Sequence, residues 1–138
     1  MSERIKMADE LHRKGYNCSQ SVAVACADLV DVPKETLFKA TEGYGFGMGT
    51  MDGTCGALTG ALLIAGLKNS TGNLESPKSK GATMKISKAM LTNFREKSGA
   101  IICRELKGVD TGKMLCSCPD CIKHGVEVVE EQFVMRNA

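Results

Sequence analysis

One segment constrains the fold more than any other, the stretch of small and apolar residues GALTGALLIAGL at 56–67. Its glycines and alanines recur at intervals of three to five residues, a spacing that lets another helix approach closely. At 12 residues the stretch is well short of the ~20 apolar residues that a membrane-spanning helix needs. The sequence therefore predicts a helix packed inside a bundle, and we expect this helix to begin near Asp52.

The rest of the chain has the periodicity of helices, and no run alternates convincingly with the period of two that is typical of strands. Gly15 is typical of a helix end, and Asn17 is typical of the cap of the next helix. The other predicted helices are 3–14, 17–31, a short one opened by Pro33, 77–99, a turn at 103–106 and a last one from Pro119. We therefore expect an all-α, compact single-domain bundle of five to six helices over residues 1–138.

Composition and charge exclude several classes of protein. The N-terminal segment is charged throughout and lacks the apolar core of a secretory signal, and the formal net charge of +2 indicates no nucleic-acid partner. We therefore expect a cytoplasmic protein without a membrane span. Seven cysteines in a reducing compartment are expected to serve as catalytic thiols or metal ligands rather than as structural bridges.

Three cysteines fall at predicted helix N-termini. Cys18 follows the cap Asn17, Cys55 lies three residues after Asp52, and Cys118 precedes Pro119. The helix dipole and the free N–H groups there favour a thiolate, which is both the nucleophile and the metal ligand. Cys26 differs, because it lies on an apolar helix face and is expected to be a core residue.

The sequence CSCPDC at 116–121 allows two kinds of chemistry. Cys118 and Cys121 form a C-P-x-C motif at a helix start, which suits thiol–disulfide exchange. Together with Cys116 they also have a spacing that suits zinc or an iron–sulfur cluster. His124 can add a nitrogen ligand or be an ordinary exposed helical histidine. Covalent haem attachment is excluded, because Ile122 occupies the position where C-x-x-C-H needs histidine.

A glycine-rich segment, GYGFGMGTMDG at 43–53, precedes the helix of small residues. Such a loop can cradle a phosphate at a helix N-terminus. However, neither the Walker nor the Rossmann spacing is present, and no strand is expected before it. We therefore expect these glycines to permit close backbone approach and positive φ angles rather than to bind a nucleotide.

Four segments in a fixed order make the chain recognisable: YNCSQSV at 16–22, the CGAxxG motif within CGALTGALLIAGL at 55–67, CREL at 103–106 and CPDCIKHGVEVVEE at 118–131. This order resembles the C_GCAxxG_C_C family of small helical, redox-active proteins of prokaryotes. The resemblance implies four functional cysteines, Cys18, Cys55, Cys103 and Cys118, with Cys116 or Cys121 acting beside Cys118 or replacing it. A similar domain occurs in cytochromes that carry an iron–sulfur centre, so the resemblance also implies cluster binding.

These observations predict a cysteine-based redox protein with an unidentified redox partner. Its candidate catalytic residues are Cys18, Cys55, Cys103, Cys118 and Cys121, working by disulfide exchange or by electron transfer through an iron–sulfur cluster on Cys18, Cys55, Cys103 and Cys118. The alternative is a metal-binding module without turnover, with zinc or another metal on Cys116, Cys118 and Cys121. A third hypothesis is an interaction domain with incidental cysteines, and self-association is left open. Gly56 and Gly60 share a helix face, and we expect them to let a partner helix bring its cysteine close to Cys55.

Overall fold

The computed structural model describes residues 2–135. This part of the chain contains helices and no strand, which confirms the all-α prediction. Its seven regular α-helices are α1 (Glu3–Lys14), α2 (Cys18–Ala25), α3 (Lys34–Thr41), α4 (Gly56–Asn69), α5 (Lys80–Ser98), α6 (Cys103–Lys107) and α7 (Cys118–Phe133). The four residues Gly45–Met48 also form a helical turn, but Phe46 and Gly47 have positive φ angles within it, so it is not a regular helix. The expected number of five to six is low, because the short segments α3 and α6 both form helices of their own.

The end of α1 and the start of α2 lie where the predicted caps place them. Gly15 ends α1 with a φ of 119°, a left-handed conformation that glycine adopts without steric cost. Asn17 caps α2 through its side chain, which accepts from the N–H of Gln20, and the Gln20 side chain accepts from the N–H of Asn17 in return. However, α2 ends at Ala25 rather than near Asp31, because the chain tightens there into a 3₁₀ turn.

The helix of small residues begins at Gly56, so the predicted start near Asp52 is wrong. The preceding residues instead pair with the segment that leads into α6. The N–H of Cys55 donates to the Ile101 carbonyl at 2.7 Å, and the N–H of Cys103 donates to the Gly53 carbonyl at 3.0 Å. These long-range hydrogen bonds satisfy the backbone in an extended form, and local sequence patterns do not reveal them.

The starts of the last two long helices also differ slightly from expectation. The helix expected from Pro77 begins at Lys80, and it ends at Ser98 before Gly99 as predicted. The last helix begins at Cys118 rather than Pro119, because Ser117 is the cap and accepts from the N–H of Asp120. Cys118 is therefore the first residue of α7.

Helix α4 lies at the centre and packs against α2, α5 and α7. Gly60 permits the closest approach, because a Cβ there would lie 2.5 Å from the backbone oxygen of Ser19 on α2. A Cβ on Gly125 of α7 would likewise lie 2.7 Å from the carbonyl oxygen of Ala57. The expected role of the small residues is thus confirmed, and it brings the N-terminal ends of α2, α4 and α7 together. None of the helices within residues 2–135 is long and apolar enough to span a membrane.

Candidate functional site

One cavity of about 330 Å³ is lined by the four cysteines that the family resemblance implies as functional. Each of them stands at the start of a helix. They are Cys18, the first residue of α2; Cys55, the residue before α4; Cys103, the first of α6; and Cys118, the first of α7. Four separate segments of the chain therefore contribute thiols to one shared space.

The first pair of facing thiols is Cys18 and Cys118, both of which are partly exposed. Their side chains share a hydrogen bond. That hydrogen bond, assisted by the ammonium of Lys107, lowers the pKa of Cys118 to about 5. The same hydrogen bond, together with burial, raises the pKa of Cys18. At neutral pH the pair is thus a thiolate on Cys118 held by a thiol on Cys18.

The second pair is Cys55 and Cys121, and both of these residues are buried. A side-chain hydrogen bond from Cys121, with further ones from the N–H groups of Ala57 and Leu58, lowers the pKa of Cys55 to about 7. Cys55 is the residue before the first turn of α4, so its sulfur can accept from the free N–H groups there. The pKa of Cys121 is raised, first by the hydrogen bond with Cys55 and then by burial.

The two cysteines of the C-P-x-C motif therefore contact different parts of the chain. Cys118 and Cys121 lie three residues apart on α7, yet Cys118 contacts Cys18 of α2 while Cys121 contacts Cys55 beside α4. The cysteine pairs are thus formed between helices rather than within the motif.

Lys107 supplies the positive charge of this site. It lines the cavity, donates from Nζ to the carbonyl oxygen of Cys116 at 2.9 Å, and lies 3.8 Å from Sγ of Cys121. Burial lowers its pKa, but Cys121, Cys118 and Cys55 outweigh that effect and leave the pKa raised, so the side chain is an ammonium. No motif in the sequence identifies Lys107 as a site residue, although its position one turn after Cys103 on α6 is a signal for it.

Cys103 lines the cavity without a facing thiol of its own. Burial raises its pKa, and the neighbouring Cys55 adds to that effect, so Cys103 is a neutral thiol. Its side chain lies against Gly47, where a Cβ would come within 2.5 Å of the Cβ of Cys103. The glycine-rich segment therefore serves close approach to a thiol, in agreement with the structural role expected for it.

Three residues of that glycine-rich segment take left-handed conformations although they carry side chains. They are Phe46, Met48 and Met51, with φ of 58°, 62° and 68°. Phe46 and Met51 line the cavity, and 62% of Phe46 is exposed. Backbone strain of this kind is concentrated at functional sites. No sequence pattern reveals it, because only the fold decides which non-glycine residue takes the positive φ.

The remaining cysteines and the candidate ligand His124 lie outside the cavity. Cys26 is fully buried in the hydrophobic core, as expected, and burial raises its pKa to about 12. Cys116 is buried, with its Sγ 3.7 Å from Nδ1 of His124. The same Nδ1 lies 2.7 Å from Oγ of Ser98, and burial lowers the pKa of His124. His124 is therefore a partly buried, hydrogen-bonded side chain.

The thiols of this site are a suitable ligand type for a metal or an iron–sulfur cluster. Within residues 2–135, however, no three His, Cys, Asp or Glu side chains are grouped as a bound metal ion requires. In particular, Cys116 lies against His124, whereas Cys118 of the same CSCPDC segment contacts Cys18. Two pairs of thiols face each other instead, Cys18 with Cys118 and Cys55 with Cys121, a geometry suited to a disulfide.

The fold and the site together define an all-α, cysteine-rich protein with helix-initiating thiols around one cavity. The family described as "Putative redox-active protein (C_GCAxxG_C_C)" matches residues 16–132, a span that contains all seven cysteines. The chain therefore belongs to this redox-active protein family. No curated protein and no solved structure matches the chain.

Proposed function

We propose that this chain is a thiol–disulfide redox protein whose reactive dithiol is Cys18 and Cys118. The observation that carries the proposal is the contact between these two side chains at one cavity, one residue a thiolate and the other a thiol. Low-pKa thiolates that are partly exposed at helix N-termini are typical attacking groups in disulfide exchange.

In the first step, the Cys118 thiolate attacks one sulfur of a substrate disulfide. A bond forms between that sulfur and Cys118, the substrate disulfide bond breaks, and the second substrate sulfur leaves with the electron pair and takes a proton from solvent. Lys107 contributes here, because its ammonium stabilises the thiolate before the attack. The product of this step is a mixed disulfide on Cys118.

In the second step, Cys18 resolves the mixed disulfide. The interaction with the Cys118 thiolate is the largest cause of the raised pKa of Cys18, and this cause disappears once the Cys118 sulfur is neutral. Cys18 then loses its proton to solvent and attacks Cys118, and the first substrate sulfur leaves as a thiolate. The substrate disulfide has gained two electrons and the protein holds a Cys18–Cys118 disulfide, which an external dithiol reduces again.

The pair Cys55 and Cys121 provides a second dithiol of the same construction. Its thiolate, Cys55, faces the same cavity but is buried and has the higher pKa of about 7. We assign the first attack to Cys118 for this reason, and we assign to Cys55 and Cys121 the storage of a second disulfide. Cys103 is a neutral thiol in the same cavity and is available for exchange with either pair.

An iron–sulfur cluster on Cys18, Cys55, Cys103 and Cys118, or a zinc ion on Cys116, Cys118 and Cys121, would use the same thiols as ligands. The paired arrangement does not fit either group as the side chains are placed, because no three of them form a metal-holding group within residues 2–135. No step of the proposed exchange passes through a metal. Both alternatives are nevertheless outcomes of the following experiment.

The test is to purify the protein without oxygen and to measure its visible spectrum, its iron and zinc contents and its free thiols. The thiols are counted before and after equilibration with oxidised and then reduced dithiothreitol. We expect colourless protein with substoichiometric metal, whose thiol count falls and recovers by at least two, while Cys18→Ala abolishes the change at Cys118. Brown protein with stoichiometric iron, or a thiol count that does not respond, would refute the proposal.

A further inference from the structure

The cluster of cysteines extends beyond the cavity on the side of α5. Cys121 hydrogen-bonds through its side chain to Cys55, and it also hydrogen-bonds through its side chain to Cys116. Its Sγ lies 3.9 Å from the carbonyl oxygen of Cys116 as well. Cys121 is thus flanked by two thiols, one facing the cavity and one facing away from it.

We propose that Cys116 is a further redox residue, which takes over the disulfide of Cys121 from Cys55. The inference rests on the proposed function, because it requires that Cys55 and Cys121 first become a disulfide. The family resemblance implies Cys116 only beside Cys118 or in its place, so a disulfide between Cys116 and Cys121 goes beyond it.

The backbone around Cys116 holds its thiol in place. The N–H groups of Leu115 and Cys116 both donate to the carbonyl oxygen of Leu106, at 2.9 and 3.2 Å. On the other side, Lys107 binds the carbonyl oxygen of Cys116 and approaches Sγ of Cys121 at 3.8 Å. One ammonium therefore tethers both members of the new pair.

The transfer balances without any further oxidant. Cys116 gives up its proton to Nδ1 of His124, which lies 3.7 Å from its sulfur, and the Cys116 sulfur attacks Cys121. A Cys116–Cys121 bond forms, the Cys55–Cys121 bond breaks, and Cys55 takes the electron pair as a thiolate. The protein remains oxidised by the same two electrons, while Cys55 faces the cavity again and can react once more.

A buried cysteine usually serves as a small apolar residue of the core, and Cys26 is an example in this protein. Cys26 lies among the apolar residues of the core, and the charged groups that affect its pKa are Arg4, Asp28 and Glu130, with no thiol among them. Cys116 is similarly buried but contacts a thiol and an imidazole. Cys26→Ala is therefore the matched control for Cys116→Ala.

The experiment maps disulfides in the full chain after anaerobic reduction and limited oxidation with oxidised dithiothreitol. Acid quenching, alkylation and digestion with trypsin and with a protease that cuts before Asp120 separate Cys116 and Cys118 from Cys121. Fragmentation of the linked peptides by tandem mass spectrometry then assigns each link to Cys116 or to Cys118. We expect the wild-type protein to contain a Cys116–Cys121 link and Cys55→Ala, which cannot form the Cys55–Cys121 disulfide, to lack it. In Cys116→Ala we expect Cys55 to be the only partner of Cys121, with alkylatable Cys55 in oxidised molecules reduced about fivefold relative to Cys26→Ala.

A wild-type map with Cys18–Cys118 and Cys55–Cys121 but no Cys116–Cys121 link, or a Cys116–Cys121 link that forms equally in Cys55→Ala, would overturn this inference and leave the proposed function standing. A map without any link among the cavity cysteines would overturn both. Retention of the Cys18–Cys118 link in Cys116→Ala shows that this variant is folded. The missing Cys116–Cys121 link is then due to the absence of the Cys116 thiol and not to unfolding.

Discussion

Replacement of Cys18 by alanine removes the group that does most to stabilise the Cys118 thiolate. The hydrogen bond from Cys18 is the largest cause that lowers the pKa of Cys118 to about 5, ahead of the charge of Lys107. Without that donor, the thiolate keeps the ammonium of Lys107, the helix N-terminus and a smaller effect of His12. We therefore expect the pKa of Cys118 to rise in Cys18→Ala.

The size of the rise follows from the strength of one hydrogen bond to a charged group. Such a bond contributes about 1.5–3 kcal/mol, which corresponds to about one to two pKa units. Cys118 is partly exposed, so solvent screens part of this contribution and the lower end of the range applies. The expected pKa of Cys118 in Cys18→Ala is about 6. Cys18→Ser retains a hydroxyl donor and should stay within about half a unit of the wild-type value.

The assay is alkylation by iodoacetamide over a series of pH values, with the label on Cys118 quantified by mass spectrometry. Because the thiolate is the nucleophile, the rate rises with pH and reaches a plateau above the pKa. The curve for Cys18→Ala should move to higher pH, and the curve for Cys18→Ser should move less. An unmoved curve in Cys18→Ala, or equal shifts in both variants, would refute the idea that a hydrogen bond from residue 18 holds the thiolate.

Three more predictions concern the packing and the charges of the site. Gly60→Ala should lower the free energy of unfolding by about 1–3 kcal/mol in urea denaturation, because the new Cβ meets the Ser19 carbonyl. Gly66→Ala has open space around it and should raise the free energy of unfolding by about 0.5–1 kcal/mol. Equal effects of the two substitutions would refute the packing argument. Lys107→Met should raise the pKa of both Cys118 and Cys55 in the same alkylation assay, and a change at only one of them would contradict a shared ammonium. In the wild-type protein, alkylation of Cys118 should reach its plateau above about pH 5 while that of Cys55 still rises through about pH 7; coincident curves would contradict this order.

Local chemistry made much of this structure predictable. Caps such as Asn17 and Gly15 identify helix ends, because the side-chain acceptor and the left-handed glycine act within one turn. The same capping signals predicted cysteines at helix starts, and Cys18 and Cys118 are indeed the first residues of their helices. The small residues along α4 predicted the close approach of another helix, because they leave room for its backbone. At Gly60 the backbone of Ser19 occupies the space that a Cβ would need.

The unpredicted parts depend on contacts between distant segments. The start of α4 moved to Gly56 because the backbone before it pairs with residues 101–104, which no local pattern encodes. The partners of Cys118 and Cys121 are likewise set by the packing of α2 and α4 against α7, so the motif alone suggested a dithiol between neighbours on one helix. Lys107 gains its role only because α6 and α7 bring it to the thiols.

The proposed mechanism depends on a disulfide that forms between Cys118 and Cys18, which lie on two different helices. The most direct measurement is the disulfide map of the wild-type protein oxidised by one equivalent of oxidised dithiothreitol, with cleavage before Asp120 to separate Cys118 from Cys121. We expect a link between the peptides that carry Cys18 and Cys118. A link between Cys118 and Cys121, with Cys18 left free, would contradict it.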